Sequence, residues 1–380
     1  MFSNDSTVWP SRGDRAVEYR RLGRTGIRVS VLSLGTATLG SQWGPRWSME
    51  PTEADALIGT ALEHGINLFD TANVYNGGES EEWLGRALKQ RSARDNVVLS
   101  TKFGYRTDHC DVNSGGCSRR AMTSAVEKSL TRLGTDYIDL YYVHLWDRVT
   151  AVEETLETAI DLIAQGKIRY LGLSNVPGWY LGYADGLCAG RGLPPIAAMQ
   201  LNYNLLTRSL EHEYLSYAEH SGTGLVSWGP LAGGLLAGRY RVDARRRTLE
   251  GAGRLTEGAL GATLSPFRDI VERTLLRLDR LAEQTGENPA RMALAWLLRN
   301  PRLTSVTLGV STRSQLLGNL EAANTEFPDE VMASLDEVSA PSTPHPYEFL
   351  AQEFQDLVHG TPTSNAREDG QSPMHQQRTN

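Results

Sequence analysis

Hydrophobic residues along the chain fall into two alternating patterns. Short, nearly continuous apolar runs occur at 31–36, 66–70, 97–102, 138–144, 168–174, 197–201, 224–228 and 305–309. Each is short for a helix and rich in Val, Ile and Leu, which predicts a strand buried on both faces. Between the runs, apolar residues recur three and four apart over 52–64, 79–89, 118–133, 152–165, 179–188, 212–220, 267–285, 291–298 and 314–323. That spacing places them on one face of a helix, as Ala54, Leu57, Ile58, Ala61 and Leu62 show in the first of these stretches.

Strands alternating with amphipathic helices predict an α/β fold whose parallel sheet is covered by helices, and eight such units suit a closed (β/α)8 TIM barrel. The alternative, a Rossmann domain with a second domain, calls for a Gly-x-Gly-x-x-Gly turn after an early strand. Residues 35–40, Gly-Thr-Ala-Thr-Leu-Gly, do not form one. Ahead of the barrel, 18–29 predicts an N-terminal β-hairpin turning at 22–26, where Gly23 and Gly26 supply the reversal, and placed to cover one end. Residues 1–14 read as disordered, 15–338 as a single barrel domain with a long loop after strand seven, and 339–380 as a C-terminal extension, partly disordered.

Composition narrows the partners. A chain of 380 residues with 40% hydrophobic and 22% charged content is that of a soluble globular protein. The net charge of -7 is spread out, with Arg245, Arg246 and Arg247 as the one dense basic block, so neither nucleic acid nor an anionic membrane is an expected partner. No apolar run approaches the ~20 residues of a spanning helix, and the first residues lack the core of a signal peptide, so a cytoplasmic protein is expected. Cys110, Cys117 and Cys188 are too few for a disulfide framework, and the spacing of His109, Cys110 and Cys117 fits no common zinc pattern, so no metal is expected.

Barrel geometry gathers the C-terminal ends of all strands around one mouth. Those ends carry Gly35 and Thr36, Asp70, Lys102, His144, Ser174 and Asn175, Gln200, Trp228 and Gly309. Taken singly, a strand-ending Asp is often a turn former and a lone His a structural residue; their joint placement on one rim is what points to chemistry. Lys102 paired with Asp70 avoids burying lone charges. A cation near Tyr75 would lower the pKa of that phenol from ~10 toward neutrality and make it a proton donor. A neutral His144 would orient and polarise the same substrate oxygen. Protonation of oxygen by Tyr75 pairs with hydride delivery to carbon, which no side chain supplies and a cofactor must. Asn175 and Gln200 suit a nicotinamide carboxamide. Trp228 suits its ring, and equally suits barrel core. Ser311 and Arg313, where strand eight passes into a helix, suit a 2′-phosphate and hence NADPH; Arg313 also reads as a solvated charge.

Over 18–325 the chain resembles the aldo-keto reductase superfamily. The resemblance rests on Leu34-Gly35-Thr36, Phe69-Asp70-Thr71-Ala72 with Tyr75, Thr101-Lys102, and Asp136-Tyr137-Ile138-Asp139-Leu140 with His144. It continues through 166–175, Gln200-Leu201-Asn202-Tyr203-Asn204 and 309–319. It implies a catalytic tetrad of Asp70, Tyr75, Lys102 and His144, with NADPH/NADP bound across the barrel by Gly35, Thr36, Asp70, Ser174, Asn175, Gln200, Trp228, Gly309, Ser311, Arg313, Gln315 and Asn319. Trp228-Gly229-Pro230-Leu231 followed by Gly238-Arg239-Tyr240 is similar to the branch containing bacterial reductases and potassium-channel beta subunits, and implies that Gly229, Pro230 and Leu231 also bind the cofactor and that Arg239 contacts the pyrophosphate. Gly318 stands where that pattern usually has a Glu for the adenine amine, which implies weaker or remodelled adenine recognition.

Trp43, Trp47, Tyr105, the 110–117 segment and Trp146, together with Tyr75 and His144, are the expected walls of the substrate pocket. The reading is an NADPH-dependent reductase of a small-molecule aldehyde or ketone, free to form a homo-oligomer. Its alternatives are an NADP(H)-binding redox-sensing subunit and a reductase of a sugar-nucleotide ketone or enone.

Overall fold

The computed structural model describes residues 17–43, 49–243, 245–251, 255 and 268–360. Eight parallel strands close into a barrel in the order β12-β3-β4-β5-β6-β7-β8-β9. They are β3 (Leu32–Gly35), β4 (Leu68–Asp70), β5 (Val98–Phe103), β6 (Ile138–Val143), β7 (Ile168–Ser174), β8 (Ala198–Asn202), β9 (Gly224–Trp228) and β12 (Leu303–Gly309). Each expected run became a strand, with ends moved by a residue or two. The intervening helices form the outer layer, as expected for a (β/α)8 fold.

Alternation along the strands sorts the core. In β5, Val98 belongs to the interior cluster while Leu99 and Phe103 pack outward against helices. Leu140 and Tyr142 of β6 point in, and Tyr141 and Val143 point out. The hairpin β1 (Tyr19–Arg21) and β2 (Arg28–Ser30) closes the N-terminal end of the barrel. Its turn glycine, Gly23 (φ +54), sits so close to Gly224 N and the Ala197 carbonyl that a Cβ would fall 2.5 and 2.8 Å from them. Leu22 is thereby driven into the interior beside Val29, Leu68, Val98 and Leu140.

Helix ends are set by local chemistry. In α1 (Pro51–Glu63), Pro51 at the first position and a reciprocal Glu50/Glu53 capping box define the start. Ser118 caps α3 (Arg119–Leu133), which Gly134 terminates in the left-handed conformation. Helix α2 (Glu79–Gln90) packs closely on α3, because a Cβ on Gly85 would lie 2.2 Å from the Leu133 carbonyl oxygen.

Two regions differ from the sequence reading. The loop after strand seven holds a hairpin, β10 (Tyr240–Asp243) with β11 (Thr248–Gly251), whose arginine-rich turn masks its pattern. A further helix, Asp329–Ser339, packs on the helix Asp269–Thr285 through a face that includes Met332 and Leu335. Its apolar face is thin among acidic residues, and the pattern alone did not reveal it.

Candidate active site

Backbone register brings the acid and the base-bearing strands together: Asp70 pairs with Gly35 on one side and Ser100 on the other, and Lys102 lies two residues further along β5. Lys102 is fully buried. Its ammonium donates to Asp70 Oδ2 (2.5 Å), to the Thr71 carbonyl (2.8 Å) and, at 3.5 Å, to Tyr75 Oη. Asp70 Oδ1 accepts from Ser100 Oγ (2.8 Å) and Gln200 Nε2 (2.9 Å). Three donors from two strands, Ser100 and Lys102 of β5 and Gln200 of β8, thus fix one carboxylate, as a buried charge requires.

Tyr75 opens a short 3-10 turn, Tyr75–Gly78, that runs into α2. Its ring packs edge-on against Trp43 and His144, each 5.7 Å away between centroids, and Tyr105 packs on His144 at 4.9 Å. Three of the expected pocket walls, Trp43, Tyr105 and His144, therefore meet around the phenol. Trp43 and Tyr105 stay about two-fifths exposed. Trp146 turns instead toward Trp179 (5.6 Å) and Tyr180, with the Arg148 guanidinium over its ring. Trp179, mostly exposed at the start of α5 (Gly178–Arg191), extends this aromatic edge. It escaped the sequence reading because it sits inside a helical pattern. Trp47 lies outside the described residues.

Electrostatics depart from expectation at one residue. Burial raises the Tyr75 pKa above that of a free phenol, and the opposing pull of Lys102 does not overcome it. The sequence displayed the cation but not the depth of burial. Lys102 is itself shifted up: burial disfavours its charge, and Asp70 and Tyr75 more than compensate. His144 is held well below the ordinary imidazole value, first by burial and then by Lys102. Its Nδ1 is buried with no hydrogen-bond partner. At neutral pH the site presents a protonated phenol, an ammonium and a neutral imidazole.

The other strand ends form a linked rim. Asn175 adopts φ +50, and its amide nitrogen donates to the His144 carbonyl and to Ser174 Oγ, both at 2.9 Å. Its Oδ1 accepts from the Trp228 indole (3.1 Å), and Ser174 Oγ donates to the Gln200 carbonyl (2.8 Å). Asn175 thus uses both ends of its amide on the rim, Gln200 gives its amide nitrogen to Asp70, and Trp228 is held by its N–H with its ring half-buried. Thr36 is fully buried, its hydroxyl bonded to the Asp70 carbonyl and to Ser80, so it braces the rim from behind. Gly35 packs under Thr307, where a Cβ would lie 2.8 Å from that side chain.

Beyond strand eight, Thr312 caps the helix Arg313–Leu320, and Gln315 accepts from the Ser311 N–H at 3.0 Å. Arg313 is exposed and Asn319 buried. A Cβ on Gly309 or Gly318 would meet open space. After β9, the run Gly229-Pro230-Leu231 leads into a turn in which Ala232, Gly233 and Gly234 have positive φ, and Arg239 follows, exposed. Successive N–H groups in such a backbone form anion-binding concavities.

Among the described residues no helix is long and apolar enough to cross a membrane. A family profile described as the aldo/keto reductase family matches residues 31–340. The chain is 35% identical over 350 residues to aldo-keto reductase dtxS3 of Metarhizium robertsii, covering 86% of this chain and 92% of that protein. It is 35% identical to the uncharacterized oxidoreductase YrpG of Bacillus subtilis (85% and 96% covered) and 31% identical to norsolorinic acid reductase of Aspergillus flavus (92% and 86%). With a closed eightfold barrel and this match over most of its length, the chain belongs to the aldo/keto reductase family of oxidoreductases, which act on small-molecule carbonyl compounds.

Proposed function

We propose that the protein is an NADPH-dependent reductase that converts an aldehyde or ketone to an alcohol, with Tyr75 as general acid. The observation that carries this reading is the buried Lys102–Asp70 pair beneath the Tyr75 phenol, with a neutral His144 across the same pocket. Burial keeps Tyr75 protonated at neutral pH, the form a proton donor needs. Lys102 then stabilises the phenolate left when the proton departs, and Asp70 keeps Lys102 charged. His144 donates one N–H to the carbonyl oxygen, orienting it toward Tyr75.

The residues present fit a nicotinamide cofactor. The tethered Trp228 offers a ring face. The strand-eight helix start with Ser311, Arg313 and Gln315 suits a 2′-phosphate, and the positive-φ turn before Arg239 suits a pyrophosphate. When bound, the nicotinamide supplies a hydride. Exposed aromatic edges at Trp43 and Tyr105 suit a carbonyl on or beside an aromatic ring.

Deuterium placed at nicotinamide C4 of NADPH, with a panel of aryl aldehydes and ketones, tests the reading. Label at the carbinol carbon of the product supports it, and an unlabelled product overturns it. Arg313→Ala should lower NADPH affinity about tenfold while leaving NADH affinity alone, as loss of one charge-assisted contact implies.

A further inference from the structure

Directly behind the site lies a buried charge that the proton-transfer chemistry does not use. Glu81, in the first turn of α2, is fully buried. Its Oε1 accepts from Thr101 Oγ1 at 2.6 Å, and its Oε2 accepts from Arg132 of α3, at 2.7 Å from Nε and 2.6 Å from a terminal nitrogen. Thr101 points out of the barrel, and Lys102, the next residue, points in. The Arg132 stem lies over Gly78, the last residue of the turn that begins with Tyr75: a Cβ there would be 2.8 Å from Arg132 Cδ. Ser80, the neighbour of Glu81, bonds the Thr36 carbonyl and the Thr71 hydroxyl. One ion pair thus touches both the strand that carries Lys102 and the turn that carries Tyr75.

We infer that the Glu81–Arg132 pair is a positioning device that sets the approach of Lys102 to Tyr75 from outside the barrel. Buried ion pairs contribute little net stability compared with well-packed apolar residues, so stability alone is a weak reason for this one. The gap it governs is the 3.5 Å between Lys102 Nζ and Tyr75 Oη, a contact at the limit of hydrogen bonding and sensitive to a small shift of either element. Thr101 transmits the hold through the strand backbone, and Gly78 lets Arg132 lie flat on the turn.

The inference rests on the reading of Tyr75 as the acid, and its test has an arm independent of turnover. In Glu81→Gln, kcat should fall at least about tenfold while KM and NADPH affinity stay within about twofold. The limb of the kcat pH profile assigned to Tyr75 should move to higher pH, because a more distant ammonium lowers the phenol pKa less. Thr101→Val, which deletes the hydroxyl and keeps the shape, should move both quantities the same way by less, and it decides the matter where Glu81→Gln does not fold. NMR titration of isotope-labelled tyrosine in the cofactor-free protein, with Tyr75→Phe to assign the signal, should show the Tyr75 pKa raised in both variants. A raised Tyr75 pKa without any carbonyl reduction would retain the positioning role and overturn the reductase reading. Wild-type kcat and pH profile in both variants would overturn the positioning role. So would a joint loss of kcat, NADPH affinity and folded fraction with the Tyr75 pKa unchanged.

Discussion

The two ends of the barrel are built from the same eight strands and do opposite work. At the N-terminal end, Leu22 of the hairpin meets Val29, Leu68, Val98, Leu140 and Val226 in an apolar plug. Each fully buried aliphatic side chain there contributes about 2 kcal/mol. At the C-terminal end, a few residues further along those strands, the interior holds Asp70, Ser100, Lys102, His144 and Gln200 instead. Burying these groups costs free energy that their mutual hydrogen bonds only offset. The fold can tolerate a polar mouth because its other end is sealed.

That contrast makes unequal predictions. The largest concerns the mouth. Asp70→Asn combined with Lys102→Met removes the buried charges together, so unfolding free energy by denaturant should stay the same or rise, while kcat falls by about 10²–10⁴. A parallel loss of stability and turnover would erase the distinction between the ends. Next, Leu22→Ala at the sealed end should lower unfolding free energy by about 2–5 kcal/mol and leave kcat per folded molecule unchanged.

The smallest effect is in the pH dependence of stability. In the folded protein, burial and Lys102 keep the His144 pKa well below the 6.5 of a free imidazole. As pH falls through 6.5, the unfolded chain takes up a proton that the folded chain does not, so stability declines with acidification. His144→Asn should flatten that decline in denaturant titrations between about pH 7.5 and 5, and Leu22→Ala should leave its slope as in the wild type.

Much of this was legible in the linear pattern, for a physical reason. Strands buried on both faces must be apolar, so a polar residue ending one, as Asp70 or Lys102 does, stands out and is placed on a common rim by the barrel. Proton-transfer chemistry then gave each residue an expected role, and the family motifs joined them into a tetrad with a cofactor. What escaped were relations across space. Ser100 and Gln200 as donors to Asp70, Asn175 as the tether of Trp228, and Glu81 reaching Thr101 all join residues far apart in sequence through side-chain rotamers. The sign of the Tyr75 shift escaped as well, since a neighbouring cation can be read from sequence and the depth of a phenol cannot. The helix Asp329–Ser339 and the hairpin after strand seven were hidden by charge-rich composition.

One paired measurement bears on Tyr75 as the proton donor more directly than any other: kcat for NADPH oxidation with an aryl aldehyde in Tyr75→Phe, beside the NADPH affinity of the same variant from tryptophan fluorescence quenching. The phenylalanine ring keeps the contacts with Trp43 and His144 and removes only the hydroxyl, so kcat should fall by about 10²–10⁴ with affinity unchanged. Turnover at the wild-type rate with cofactor bound would contradict the assignment of Tyr75 as the acid.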